Sequence, residues 1–110
     1  MGFVRAASVN DVASGSAARV EAGGRAVLLA NLDGKLYAIS DTCSHMGGTL
    51  SKGSFADGVV TCPRHGSQFD VRTGRNVRAP KILFFKGKAD DVPSYPVRVE
   101  GDDVLIDVSD

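Results

Sequence analysis

The interpretation of this 110-residue chain is decided by two short stretches, Cys43-Ser44-His45 and Cys62-Pro63-Arg64-His65. Sixteen residues separate the two stretches, which together contain both cysteines and both histidines of the chain. Cysteine and histidine spaced one or two residues apart in a tight loop can point at a common centre. The pattern therefore predicts two loops that bind a metal centre through their thiol and imidazole side chains.

Several kinds of site are compatible with this pattern. A zinc site with two Cys and two His ligands is one, but zinc modules usually pair Cys with Cys and His with His along the chain. Here each loop supplies one of each, which suits a two-iron cluster in which each loop reaches both irons. A catalytic Cys–His dyad would leave the second cysteine and the second histidine unexplained. A buried thiol near a surface histidine, occurring twice by chance, is the remaining alternative.

The sequence around the two stretches is typical of antiparallel β-structure. Asp33-Gly34 and Asp57-Gly58 are hairpin turn signals, and the continuously apolar run 27–30 indicates a strand buried on both faces. We find no convincing helix and no domain boundary, so we predict one all-β domain over residues 1–110. The predicted strands are residues 3–6, 18–22, 25–31, 35–40, 59–61, 68–71, 97–100 and 104–108.

Composition and charge exclude several classes of protein. The 13 basic and 13 acidic residues balance, whereas a nucleic-acid-binding protein carries a basic excess. No segment approaches the roughly 20 apolar residues of a membrane span, and no signal peptide is recognisable. We therefore expect a cytoplasmic protein with no nucleic-acid or membrane partner. In that reducing compartment two cysteines indicate metal binding rather than a disulfide.

The two stretches and their surroundings resemble the Rieske family. Residues 62–74 resemble the second cluster loop and the following turn of Rieske ferredoxins that serve aromatic-ring oxygenases, and residues 95–104 resemble their last hairpin. The resemblance implies a Rieske-like antiparallel β-sandwich or barrel with a cluster-binding subdomain formed by two loops. It also implies one [2Fe–2S] cluster, with one iron bound by two thiolates and the other by two imidazoles. The implied ligands are Cys43, His45, Cys62 and His65.

The resemblance also assigns roles to residues beside the ligands. Ser67 matches a serine whose hydroxyl donates to a cluster sulfur, and Phe69 stands where a donating tyrosine occurs in high-potential members. Gly66 would let the backbone turn tightly, and Pro80 falls in a loop that covers the cluster. Rieske potentials span about −150 to +300 mV. With one donor kept and one lost, we expect the low-potential ferredoxin class.

The implied function is that of a one-electron carrier. The protein would accept an electron from an NAD(P)H-dependent flavin reductase and pass it to a terminal oxygenase. We expect a monomeric electron-transfer component rather than an enzyme, because a chain of this length has no room for a flavin domain or a mononuclear iron domain. The alternatives are a small Rieske subunit of a nitrite reductase or an oxidase, and a zinc-stabilised binding module.

The basic residues near the second stretch suggest a docking surface. From residue 64 to residue 88 the chain has seven basic residues and one acid, while from residue 89 onward it has seven acids and one base. Arg64 lies between two implied ligands, so we expect it beside the histidines at the tip of the protein. Arg72, Arg75 and Arg78 are expected to share that side.

Overall fold

The computed structural model describes residues 2–43, 48–63, 66–78, 81–82, 85–86 and 91–108. Within these ranges the regular elements are short β-strands and two 3₁₀ turns, Val9–Asp11 and Leu50–Lys52, with no α-helix. No helix of this part of the chain has the length and apolar character to span a membrane. The strands are β1 (Val4–Ser8), β2 (Ala17–Ala22), β3 (Arg25–Leu32), β4 (Lys35–Ser40), β5 (Ser54–Ala56), β6 (Val59–Thr61), β7 (Gln68–Asp70), β8 (Asn76–Arg78), β9 (Lys81–Ile82), β10 (Phe85–Lys86), β11 (Ser94–Tyr95), β12 (Val97–Glu100) and β13 (Asp103–Ile106).

The strands form three antiparallel sheets and one short separate pair. The outer sheet has the order β1-β13-β12, the middle sheet β11-β4-β3-β2, and the sheet that we call the loop sheet β5-β6-β7-β8. Strands β9 and β10 pair with each other. The all-β fold with antiparallel sheets confirms the fold class predicted from the sequence.

The middle sheet carries an apolar core on each of its faces. Val27 and Leu29 belong to the core shared with the outer sheet, whereas Leu28 and Ala30 belong to the core shared with the loop sheet. Successive side chains of a strand point to opposite faces, so the central residues of a strand between two cores are apolar at successive positions, as Val27 to Ala30 are. This confirms that the run 27–30 is buried on both faces.

The predicted hairpin turns are present. Asp33 and Gly34 have φ angles of 55° and 90°, and Asp57 and Gly58 have φ angles of 53° and 79°. Two successive residues with positive φ are what a type I′ turn requires. These turns connect β3 to β4 and β5 to β6.

The strand predictions differ from the structure mainly where strands are very short. The eight predicted strands occur with ends shifted by a few residues, but the predicted set omits β5, β8, β9, β10 and β11. These strands contain only two or three residues, too few for an alternating pattern to stand out. Each of these strands extends only as far as its backbone pairing with a neighbouring strand continues.

The segment that precedes β11 joins the middle sheet to the loop sheet. The Val92 backbone N–H donates to the carbonyl of Gly74 at 2.8 Å, and the Ser40 N–H donates to the carbonyl of Pro93 at 2.9 Å. Val92 is itself buried in the core between these two sheets. This segment therefore bridges the turn between β7 and β8 in the loop sheet and the end of β4 in the middle sheet.

Candidate metal centre

The two stretches that decided the sequence interpretation begin two loops of equal length, which we call the first loop (residues 43–48) and the second loop (residues 62–67). In the first loop the Cys43 N–H donates to the carbonyl of Gly48 at 2.6 Å; in the second, the Cys62 N–H donates to the carbonyl of Ser67 at 2.7 Å. Each hydrogen bond joins a cysteine to the residue five positions later. The two cysteines therefore occupy equivalent positions at the start of their loops.

Both loops also stand on equivalent antiparallel pairs. The residue before Cys43, Thr42, pairs with Thr49, and the residue before Cys62, Thr61, pairs with Gln68. The first loop follows β4, and the second connects β6 to β7. Because the residues that flank each loop are paired, the direction in which each loop leaves its strands is fixed.

The cysteine side chains are buried in one apolar group. Cys43 and Cys62 are each 2% exposed and share the core between the middle and loop sheets. They are not joined in a disulfide. Two thiols in one core without a disulfide are consistent with the predicted thiolate ligands of a metal centre, although both histidines lie outside the described residues.

Ser67 supplies a direct test of whether the second loop suits an iron–sulfur cluster. The residue is 1% exposed, and its Oγ has no hydrogen-bond partner among the described residues. A buried hydroxyl without a partner costs free energy, so an acceptor belongs beside it. A sulfur atom of an iron–sulfur cluster is such an acceptor. The buried Ser67 hydroxyl and the two buried cysteines therefore fit a [2Fe–2S] cluster at this site.

Gly66 and Phe69 occupy positions that support the second loop. Gly66 has a φ of +79°, which favours glycine, and its N–H donates to the Cys62 carbonyl at 3.1 Å. Phe69 is fully buried in the same apolar group as both cysteines. A tight turn at Gly66 therefore closes the second loop, and the Phe69 ring packs in the core that contains Cys62.

Some predicted site residues lie outside the described residues. They are His45, Arg64, His65 and Pro80. Their roles remain predictions from the sequence.

The expectation that three further arginines share the tip with Arg64 is wrong for two of them. Strand β7 leaves the second loop at Gln68 and ends at Asp70, so Arg72 and Arg75 follow at the end of the strand remote from the loop. Arg72 there donates to the Asp70 carboxylate. Arg78 returns on β8, where its backbone pairs with Gln68. The hairpin direction decides which basic residues lie near the second loop.

Two residues that support the loops are absent from the sequence prediction. Asp41, two positions before Cys43, is buried, and a Cβ atom at Gly53 would meet the backbone of Thr61. The signal in the sequence that could have identified Asp41 is an acidic residue at the end of an apolar strand. Gly53 has no positive φ, and only its surroundings show why glycine stands there.

Comparison with known proteins agrees with this geometry. The sequence profile of the Rieske [2Fe-2S] domain matches residues 2–96. The chain belongs to the Rieske [2Fe–2S] domain family. Such a domain carries one [2Fe–2S] cluster, and the matched range of this Rieske protein includes both loops.

Relatives that align with nearly the whole of this Rieske protein and of their own chains include ferredoxin components. It is 39% identical over 110 residues to the biphenyl dioxygenase ferredoxin subunit of Pseudomonas sp. (strain KKS102), an alignment that covers 99% of this chain and 94% of the relative. Among solved structures it resembles the ferredoxin of carbazole 1,9a-dioxygenase from Nocardioides aromaticivorans IC177, with a TM-score of 0.76, 32% identity, and coverage of 96% of this chain and 97% of that one.

A further structural neighbour was solved together with its oxygenase. It is a chain of the complex of reduced oxygenase and oxidised ferredoxin in carbazole 1,9a-dioxygenase, with a TM-score of 0.79, 26% identity, and coverage of 94% of this chain and 91% of that one. This Rieske protein is therefore an electron carrier of the ferredoxin type and not a catalytic component.

Proposed function

We propose that this Rieske ferredoxin carries single electrons from an NAD(P)H-dependent flavin reductase to the terminal oxygenase of an aromatic-ring oxygenase system. The observation that supports this most directly is the pair of equal loops, each begun by a buried cysteine, in a chain 39% identical to a dioxygenase ferredoxin subunit. The proposal treats residues 1–110 as one Rieske domain that acts as a monomer in the cytoplasm.

In this proposal the cluster ligands come in equal number from the two loops. The thiolates of Cys43 and Cys62 would hold one iron, and ring nitrogens of His45 and His65 would hold the other. When bound, the cluster takes up one electron and releases it again. Two neutral imidazoles in place of two thiolates leave less negative charge at the site, which favours uptake of the electron.

The chain's own residues then have three tasks. The core around Cys43 and Cys62, which includes Leu50 and Phe69, keeps water away from the thiolates. The hydrogen bonds that close the two loops hold both cysteines in position before any partner binds. The buried Ser67 hydroxyl would donate to a sulfur atom of the bound cluster and so stabilise additional negative charge there.

The proposed partners bind transiently and one after the other. An electron carrier must dissociate from its reductase before it reaches its oxygenase, so charge at the rim of the contact governs the encounter rate more than the affinity. Arg64, between Cys62 and His65 in the chain, is the basic residue that we place in this contact.

Spectroscopy and metal analysis of one sample test the proposed function. We expect about two irons and no zinc per chain, together with the electron paramagnetic resonance spectrum of a Rieske centre after reduction with dithionite. We then expect catalytic transfer of electrons when a flavin reductase and an aromatic-ring oxygenase are added. A colourless zinc protein would overturn the proposal, as would tight co-purification with the large subunit of a nitrite reductase or an oxidase.

A further inference from the structure

Asp41 lies where the middle sheet meets the first loop, directly after β4 and two positions before Cys43. Its side chain is 0% exposed. Acidic side chains are almost never fully buried unless they are paired, and an ionised group left without partners in an apolar core is very costly. The partners of Asp41 therefore indicate what this residue does.

The polar atoms of Asp41 all have partners. Oδ1 accepts from the Ser51 backbone N–H at 2.7 Å, and Oδ2 accepts from the Ser51 hydroxyl at 2.7 Å and from Nη1 of Arg19 at 3.2 Å. The Asp41 N–H donates to the Ala26 carbonyl at 3.1 Å, and the Asp41 carbonyl accepts from the Leu50 N–H at 2.8 Å. One residue thus joins β2, β3 and the 3₁₀ turn Leu50–Lys52.

These contacts close the first loop a second time. The Cys43–Gly48 hydrogen bond closes the loop at its base. Just outside it, Asp41 precedes the loop and holds Leu50 and Ser51, which follow it. Hydrogen bonds to a charged acceptor are shorter and stronger than those between neutral groups. The carboxylate therefore clamps the two ends of the segment that presents Cys43.

The same network places two opposite charges at the base of the loop. The Asp41 carboxylate is buried, while the Arg19 side chain on the edge strand β2 is 50% exposed. An anion near a redox centre opposes the arrival of an electron, and a cation favours it. Burial weakens solvent screening of this effect relative to pairs on the surface.

We propose that Asp41 is a positioning residue of the first loop, and that the Arg19–Asp41 pair adjusts the midpoint potential from the edge strand of the middle sheet. This inference rests on the proposed function, because it requires Cys43 to be a cluster ligand. It assigns to Arg19 and Ser51, which precede and follow the first loop, an influence on the redox centre.

Removal of the Arg19 charge is the decisive test. In the full-length holoprotein, Arg19→Gln is expected to lower the midpoint potential, because the buried carboxylate then opposes reduction without its counter-charge. The matched control is Arg5→Gln. Arg5 pairs with Asp103 at 2.8 Å in the outer sheet and is 59% exposed; that hydrogen bond and the charge of Asp103 raise the pKa of Arg5. The control removes an equivalent cation outside the core between the middle and loop sheets, and it is expected to leave the midpoint potential unchanged.

Variants of Ser51 separate positioning from charge. Ser51→Ala removes one donor to Asp41 without altering any charge, and it is expected to change the visible circular dichroism of the cluster and raise the rate of iron loss several-fold. Ser51→Thr keeps the hydroxyl and is expected to restore both properties. Asp41→Asn, where it folds, is expected to raise the midpoint potential, opposite in sign to Arg19→Gln.

The outcomes distinguish this inference from the proposed function. If the wild-type protein has a Rieske spectrum and Arg19→Gln leaves the midpoint potential unchanged, the inference alone is overturned. The same holds if Arg19→Gln and Arg5→Gln shift the midpoint potential equally. Ser51→Ala and Ser51→Thr proteins that both behave as wild type overturn the positioning role. A wild-type protein without iron overturns both the inference and the function on which it rests.

Discussion

Gly53 packs directly against the carbonyl oxygen of Thr61, and the contact leaves no room for a Cβ atom. The same Cβ position would lie 3.1 Å from Cδ of Pro63. Gly53 follows the 3₁₀ turn that ends the return of the first loop, and Thr61 immediately precedes the second loop. This contact therefore sets how closely the two cysteine-bearing loops approach each other.

Replacement of Gly53 tests that role. Gly53→Ala should lower the free energy of unfolding by about 1–3 kcal/mol, because the added methyl group forces the backbone segments apart. It should also broaden or shift the paramagnetic resonance spectrum, since the separation of the loops changes. Chemical denaturation and spectroscopy of the holoprotein measure the two effects. Ser54→Ala, at the exposed neighbouring position, should stay within about 0.5 kcal/mol of wild type; a similarly small effect of Gly53→Ala would contradict the argument.

Replacement of each proposed ligand tests the assignment of the centre. Cys43→Ser or Cys62→Ser should abolish iron binding and loosen the loops, because metal binding and folding are coupled. His45→Ala or His65→Ala should remove the Rieske spectrum. Ser44→Ala, between two proposed ligands, is the control and should retain two irons. Iron analysis and paramagnetic resonance decide each case, and a wild-type spectrum in the His65→Ala protein would show that His65 is not a ligand.

The hydroxyl of Ser67 should influence the midpoint potential. Ser67→Ala removes a donor that favours the reduced state, so it should lower the potential by about 50 mV, as expected for a hydrogen bond worth about 1 kcal/mol in a one-electron couple. Phe69→Tyr should raise the potential if the new hydroxyl reaches a cysteine sulfur. Voltammetry of all three proteins at one pH measures both changes. No shift in Ser67→Ala would mean that the buried hydroxyl points away from the cluster.

Two adjacent leucines separate stability of the fold from stability of the centre. Leu28 and Leu29 are both almost fully buried but face different cores. Either substitution by alanine should cost about 2–5 kcal/mol of unfolding free energy. Only Leu28→Ala removes packing from the core that contains both cysteines, so only this variant should also alter the visible spectrum and speed iron loss. Equal spectral changes in the two variants would contradict the division into two cores.

Electron transfer should depend on charge near the second loop. Reduction by the partner should slow as ionic strength rises, because screening shortens the reach of charge to about 10 Å at 0.1 M salt. Arg64→Glu should slow it further. Arg75→Glu makes the same charge change at the end of the β7–β8 hairpin remote from the second loop and is the control. Stopped-flow measurements over a salt series decide this, and a rate insensitive to salt and to Arg64→Glu would favour an apolar contact.

The amino-acid sequence alone predicted much of the β-structure and the two loops that begin at Cys43 and Cys62; the metal-binding role of those loops stays a prediction. The Cys–His spacing is a local property of the chain, and so is the preference of Asp33-Gly34 and Asp57-Gly58 for positive φ. The apolar run 27–30 likewise indicated burial on both faces before any partner strand was known. Each of these features depends only on residues within a few positions along the chain.

Other features depend on contacts that only the folded chain creates. Asp41 is held by Ser51, ten positions later, and by Arg19, 22 positions earlier. Gly53 has an ordinary φ and is required only because Thr61 approaches it, and the direction of β7 carries Arg72 and Arg75 away from the second loop. Each depends on strand register and on packing between sheets, which bring distant residues together and which no local pattern encodes.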